Sequence, residues 1–79
     1  MTRAQTAVEI HDQYTEALFN IAGIYEDQGN LDLANSYYLR VLEVEPEDFW
    51  SLINLGANYE KVDRDEEALS LFLKAVEIE

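Results

Sequence analysis

The sequence predicts an all-α fold: an α-α superhelix of two antiparallel helix pairs, preceded by a partial N-terminal helix. Three observations predict it. The chain nearly repeats itself at an offset of 34 residues, its apolar residues fall at helical rather than strand spacing, and small and aromatic residues recur at matching places in both copies. At that offset Tyr25 falls on Tyr59, Asn20 on Asn54, Ala34 on Ala68, Ser36 on Ser70 and Glu43 on Glu77. Leu18 with Leu52, Ile21 with Leu55, Ala22 with Gly56 and Tyr38 with Phe72 fill in between. A fixed period in this range marks stacked supersecondary units, none of which can bury its apolar face alone.

The elements follow in order. From about Thr15 to Gln28 apolar residues stand at 17, 18, 21, 22, 24 and 25, the spacing of one helix face. Gly29-Asn30 stops this helix, because glycine accepts the left-handed conformation of a helix end. A second helix runs from about Leu31 to Val44, with Ala34, Tyr38, Val41 and Leu42 inward and Tyr37 and Val44 beside them. Glu45-Pro46 closes it, since proline lacks the amide proton and pushes its predecessor out of helical geometry. Asp48 caps a third helix reaching about Lys61, with Leu52, Leu55, Gly56 and Tyr59 inward. The turn at Val62-Asp63-Arg64 leads to a fourth helix from about Asp65, whose acidic first turn complements the helix dipole. Asp63 replaces the glycine of the first turn, so the second turn is expected to take a different shape.

Residues 1–14 read as the end of a preceding repeat, 15–48 as the first full repeat, and 49–79 as a second one truncated before its closing turn. Ala7-Val8-Glu9-Ile10 lies one period before Val41-Leu42-Glu43-Val44. His11-Asp12 stands where Glu45-Pro46 closes the next copy, and Tyr14 where Asp48 caps it, so the stop signal is weak. The segment either breaks near residues 11–14 or continues as one helix from about Arg3 to Gln28. A break is expected, because the repeat geometry calls for antiparallel neighbours. The mid-repeat start fits an excised piece of a longer array, or a unit completed by association.

With the period, the helix pair and the small-residue positions in place, the sequence resembles the tetratricopeptide repeat (TPR) family, whose period is 34 and whose pattern is W-x2-L-G-x2-Y, then A-x3-F and a proline. The first copy supplies Leu18, Ile21, Ala22, Tyr25, Ala34, Tyr38, Val41 and Pro46; the second supplies Leu52, Leu55, Gly56, Tyr59, Ala68, Phe72 and Ala75. Leucine replaces the family's tryptophan at 18 and 52, and Trp50 sits two residues earlier than the pattern places it. The resemblance implies a TPR-like solenoid whose first helices line a concave groove that binds protein segments. Mapped residue by residue, that groove carries Phe19, Gly23, Glu26 and Asp27 from the first repeat, and Trp50, Ile53, Ala57, Glu60 and Lys61 from the second. Some co-chaperone members grip a terminal carboxylate with lysine and asparagine there. The matching positions here hold Phe19, Ile53, Gly23 and Ala57, so that clamp is absent. An apolar centre with an acidic rim suits a partner peptide or helix with aliphatic anchors and basic flanks. The alternative is that Trp50 and Phe19 pack against the N-terminal segment or against each other.

Composition narrows the function classes. Seventeen acidic against five basic side chains give a formal charge of −12, and Arg3, Arg40, Lys61, Arg64 and Lys74 are scattered, which argues against nucleic acid and anionic membrane. There is no cysteine, and 48% of residues are hydrophobic, enough for one small domain. With no signal-type apolar start and no apolar run near the ~20 residues that span a bilayer, the chain is read as soluble and cytoplasmic. His11 alone supports neither a triad nor a zinc site. Asp63-x-Asp65-x-Glu67 lacks the glycine and the final glutamate of a calcium loop, Ala68 and Lys74 standing there instead. Acid pairs such as Glu26-Asp27 and Glu47-Asp48 read as solvated faces, and no phosphate loop or nucleophile elbow occurs. The expectation is a non-enzymatic interaction or scaffold module without cofactor or metal.

A second functional reading is self-assembly. The fourth helix carries a wide apolar stripe, and Leu69, Leu73 and Val76 have no following helix to cover them. At ~25 cal/mol per Å2, some 400 Å2 of open apolar surface forfeits roughly 10 kcal/mol. A homodimer, or head-to-tail stacking of copies, would recover it.

Overall fold

The computed structural model describes residues 7–78, with side chains from residue 11 onward. Four helices follow one another: α1 Ala7–Asp27, α2 Leu31–Val44, α3 Phe49–Lys61 and α4 Asp65–Ile78. No strand occurs among the described residues. Each helix packs on the next, α1 on α2, α2 on α3 and α3 on α4. Two helix pairs are therefore joined through an α2–α3 seam.

The expected break near residues 11–14 is absent: α1 runs without interruption through His11-Asp12 and Tyr14. Those positions carry neither the proline nor the cap that end α2 and begin α3, so nothing there removes a helical hydrogen bond. The buried Thr15 hydroxyl donates to the carbonyls of His11 and Asp12 (3.2 and 3.0 Å), the back-bonding that a threonine in a continuing helix makes. Two contacts hold this half of α1 against α2. Arg40 donates to the Tyr14 hydroxyl at 3.2 Å, and His11 Nε2 lies 3.3 Å from a Glu45 carboxylate oxygen. Residues 3–6 of the longer alternative lie outside the described residues.

The turns are set by local chemistry. Gly29 has φ +81°, with the Gly29 amide donating to Glu26 and the Asn30 amide to Tyr25, both at 2.9 Å. Asp63 takes the same left-handed conformation (φ 64°), its amide donating to Glu60 at 3.1 Å and that of Arg64 to Tyr59 at 2.9 Å. The second turn thus has the shape of the first, and the expectation of a different one is overturned. The paired end-of-helix hydrogen bonds fix the conformation, and aspartate tolerates it better than most residues. Asp63→Gly is expected to raise stability by about 0.5–1 kcal/mol, by relieving a left-handed side chain and removing an anion from the C-terminus of α3. A higher urea midpoint would show it; a lower one would mean that Asp63 is unstrained.

Helix starts are also as the side chains dictate. Asn30 accepts from the Leu33 amide at 3.3 Å, and Asp48 accepts from the Ser51 amide and hydroxyl at 3.1 and 2.5 Å. Arg64, the counterpart of Asn30, instead forms a two-pronged ion pair with Glu67 and lies 4.6 Å from the Tyr59 ring centroid.

The core runs through both pairs. Leu18 and Ala22 of α1, Ala34, Tyr38 and Val41 of α2, Leu52 and Leu55 of α3, and Ala68 and Ala75 of α4 are buried. Tyr25 and Tyr59 are both half-buried against the central cluster, and Tyr25 stacks on Tyr37 of α2 with ring centroids 5.8 Å apart. Two polar residues of α3 are wholly enclosed, Ser51 and Asn58. Asn58 donates to Asn35 Oδ1 of α2 at 2.9 Å across the seam, while its own Oδ1 has no partner among the described residues.

Candidate partner-binding groove

The groove residues of the first repeat project from α1 at helical spacing, so they share a face before any tertiary contact forms. Phe19, Gly23, Glu26 and Asp27 line one open hollow of about 480 Å3 between α1 and α3. Tyr38 of α2 floors it, and Asn54 of α3 forms its far wall. The Tyr38 hydroxyl donates to a Glu26 carboxylate oxygen at 2.6 Å and accepts from the Asn54 amide at 3.2 Å. Burial first, and the bond to Glu26 second, hold the Tyr38 phenol well above its ordinary value. This side chain is therefore a fixed hydrogen-bond donor that orients Glu26.

Phe19 also belongs to a second hollow of about 400 Å3, where the N-terminal half of α1 meets the α2–α3 turn. Trp50 stands on its α3 side, with Val41 at its base. Four carboxylates line it: Asp12 and Glu16 from α1, Glu45 at the end of α2, and Asp48 at the start of α3. Among the described residues no lysine or arginine lines either hollow. His11 Nε2 lies 3.3 Å from Glu45, one of these four carboxylates. Trp50 remains 62% exposed, its ring set edge-on to Phe49 at 5.1 Å. It lines the hollow without being covered by the N-terminal half of α1.

The other residues assigned from the sequence are distributed less tightly. Ile53 and Ala57 are half-buried on α3, and Glu60 and Lys61 are exposed at its C-terminal end. None of the four lines either hollow. Leu69, Leu73 and Val76 are exposed along α4 at 57, 56 and 70%. Sequence reasoning gave no site role to Asn54 or to the hydroxyl of Tyr38, a residue read as core. The recurrence of Asn20 at Asn54, polar residues beside an apolar face in both copies, was the available signal. Among the described residues no group of three or more His, Cys, Asp or Glu is placed to hold a metal ion, and no helix is long and apolar enough to cross a membrane.

Known proteins resemble this chain in sequence. Protein O-mannosyl-transferase TMTC3 of Homo sapiens and that of Mus musculus are each 24% identical to this chain over 74 residues, covering 94% of the chain. The chain spans only 8% of the length of those curated relatives, so the transferase activity in their name belongs to them as whole proteins. A family model described as tetratricopeptide repeat matches residues 14–78, the stretch that holds both helix pairs. Repeats of this kind generally mediate protein–protein interactions and are typically non-catalytic scaffolds. With 34-residue helix pairs, left-handed turns at matching positions and that match over most of its length, the chain belongs to the tetratricopeptide repeat family.

Proposed function

We propose that this domain is a non-enzymatic adaptor that takes up a segment of a partner polypeptide along α1 and α3. A basic side chain of the partner enters the hollow between Phe19 and Trp50, and an aliphatic one rests on Ile53 and Ala57. The observation that carries this reading is the pairing of an exposed tryptophan with four carboxylates around one cavity. A guanidinium or ammonium group gains from both, by attraction to the indole face and by charge. The net charge of −12 steers basic segments toward the whole domain and makes capture sensitive to salt.

Selection of a random peptide library on the immobilised domain tests this. Enriched peptides are expected to combine Arg or Lys with Leu or Ile, and to quench or shift the fluorescence of Trp50, the single tryptophan. Trp50→Ala is expected to weaken them about 30-fold or more, the scale of an aromatic hot spot. Ile53→Glu is expected to abolish capture while the helical circular dichroism is kept. Enrichment of acidic peptides, or affinity unchanged by Ile53→Glu, would overturn the placement of the site.

A further inference from the structure

The internal α2–α3 seam and the two outward faces of the molecule are related by the same 34-residue offset, and they differ in one respect. Inside, Asn35 of α2 meets the fully buried Asn58 of α3 through a 2.9 Å hydrogen bond, and Tyr38 meets Asn54 through another. One period after Asn35 stands Leu69, on the outer side of α4; one period before Asn58 stands Ile24, on α1. Both are exposed, at 57 and 56%. Phe72, counterpart of Tyr38, has no hydroxyl, and Val76, counterpart of the half-buried Leu42, is 70% exposed. On α1, Ala17 replaces the enclosed Ser51 and is exposed. Three of the four side chains in these two seam hydrogen bonds, Asn35, Asn58 and Tyr38, thus have apolar counterparts, and only Asn54 keeps its amide, as Asn20.

We propose that these faces fit each other: the outer side of α4 receives α1 of a second copy, reproducing the α2–α3 seam between molecules with Leu69 against Ile24 of the next copy. The interface is continuous with the internal seam and heterologous, so each copy offers one donor and one acceptor face and association is open-ended. The composition of the faces selects this pairing. An internal seam that opened to admit the end of another copy would set Asn35 or Asn58 against an isoleucine or leucine, leaving a buried amide unpartnered. Ends meeting ends set Leu69 against Ile24 and leave only Asn20, opposite Phe72, without the hydroxyl that its counterpart Asn54 bonds. The straight course of α1 past Thr15 matters too, because the backbone that would fold back over α1 in a regular array runs on along the helix axis. Leu73 is a rim residue here, since its counterpart Leu39 stays 45% exposed beside the internal seam. Ile24 also borders the hollow of Phe19, Gly23 and Glu26, whereas Leu69 lines neither hollow, so Leu69→Asp separates this assignment from the groove.

The test uses sedimentation of the 79-residue chain with two variants at exposed positions, Ile24→Asp and Leu69→Asp, each checked for retained helicity. The unsubstituted chain is expected to show an average mass that climbs with concentration past twice 9.1 kDa without a plateau. Each variant alone should stay monomeric. An equimolar mixture of the two should give a dimer and nothing larger, because one intact α4 face and one intact α1 face remain. Leu73→Asp should weaken association less than Leu69→Asp does. Three results overturn the proposal: a chain that stays monomeric at high concentration, an Ile24→Asp variant that still dimerises (a symmetric α4–α4 contact), or a mixture that remains monomeric.

Discussion

Tyr38→Ala is expected to cost about 3–5 kcal/mol of stability, the range for removing a fully buried aromatic ring, and to leave the domain largely unfolded at room temperature. Small single cores seldom hold more than ~5 kcal/mol in reserve. Tyr38 is 1% exposed and joins three helices: its ring meets Phe19 of α1 edge-on at 5.6 Å, and its hydroxyl bonds Glu26 of α1 and Asn54 of α3. The cavity would therefore open at the junction of both repeats rather than inside one. Tyr38→Phe separates ring from hydroxyl. It is expected to cost only about 1 kcal/mol, because Glu26 and Asn54 are half-buried and water can replace the lost partner.

The phenol also sets a pH signature. The folded Tyr38 ionises above its ordinary value of 10.0, so the unfolded chain loses this proton first as pH rises. The stability this group contributes is present in full below about pH 10 and declines as pH climbs from there toward the folded value. The advantage of the unsubstituted chain over Tyr38→Phe should consequently shrink above pH 10 in urea melts. A gap that stays constant from neutral to alkaline pH would mean that the hydroxyl is not held as described.

The periodic features of this fold were legible because each rests on residues that act locally. Gly29 ends α1, Pro46 follows α2 and Asp48 starts α3, and the structure places the helix ends within a residue or two of those signals. Features decided by the absence of a signal were not legible. Continuity of α1 depends on there being no proline at 12, and family geometry argued for a break that no side chain enforces. The left-handed Asp63 is dictated by the end-of-helix hydrogen bonds, which override the residue's mild preference. For the site, the resemblance to the family assigned Phe19, Gly23, Glu26 and Asp27, which line one hollow, but the second hollow draws on both ends of the α2–α3 turn. Glu45 and Asp48 come beside Asp12 and Glu16 only through tertiary packing. The repeat pattern assigned no place to Ser51 and Asn58, yet both are enclosed. Their counterparts Ala17 and Ile24 on α1 would have marked the same helix face as an inner one.

Gly56→Leu is expected to lower the midpoint of thermal unfolding by about 10–20 °C, from an overpacking cost of some 2–3 kcal/mol at about 4–8 °C per kcal/mol in a domain this small. A Cβ at Gly56 would lie 2.8 Å from one carbon of the Phe72 ring and 3.1 and 3.2 Å from two others. Glycine is there because α4 lays an aromatic ring directly on the α3 backbone. The first repeat solves the same approach differently, with Ala22 buried at the corresponding position and the Tyr38 ring turned toward Phe19. Gly56→Ala separates backbone propensity from sterics. Alanine gains up to ~1 kcal/mol in a helix interior, and the half-buried Phe72 ring can give by a few tenths of an ångström, so the two effects nearly cancel. Leucine adds three more carbons in a direction the ring already fills, and α4 must lift from α3 to admit them. If the leucine variant melted with the unsubstituted chain, Phe72 could not be seated against Gly56, and the α3–α4 pair would be packed in some other register.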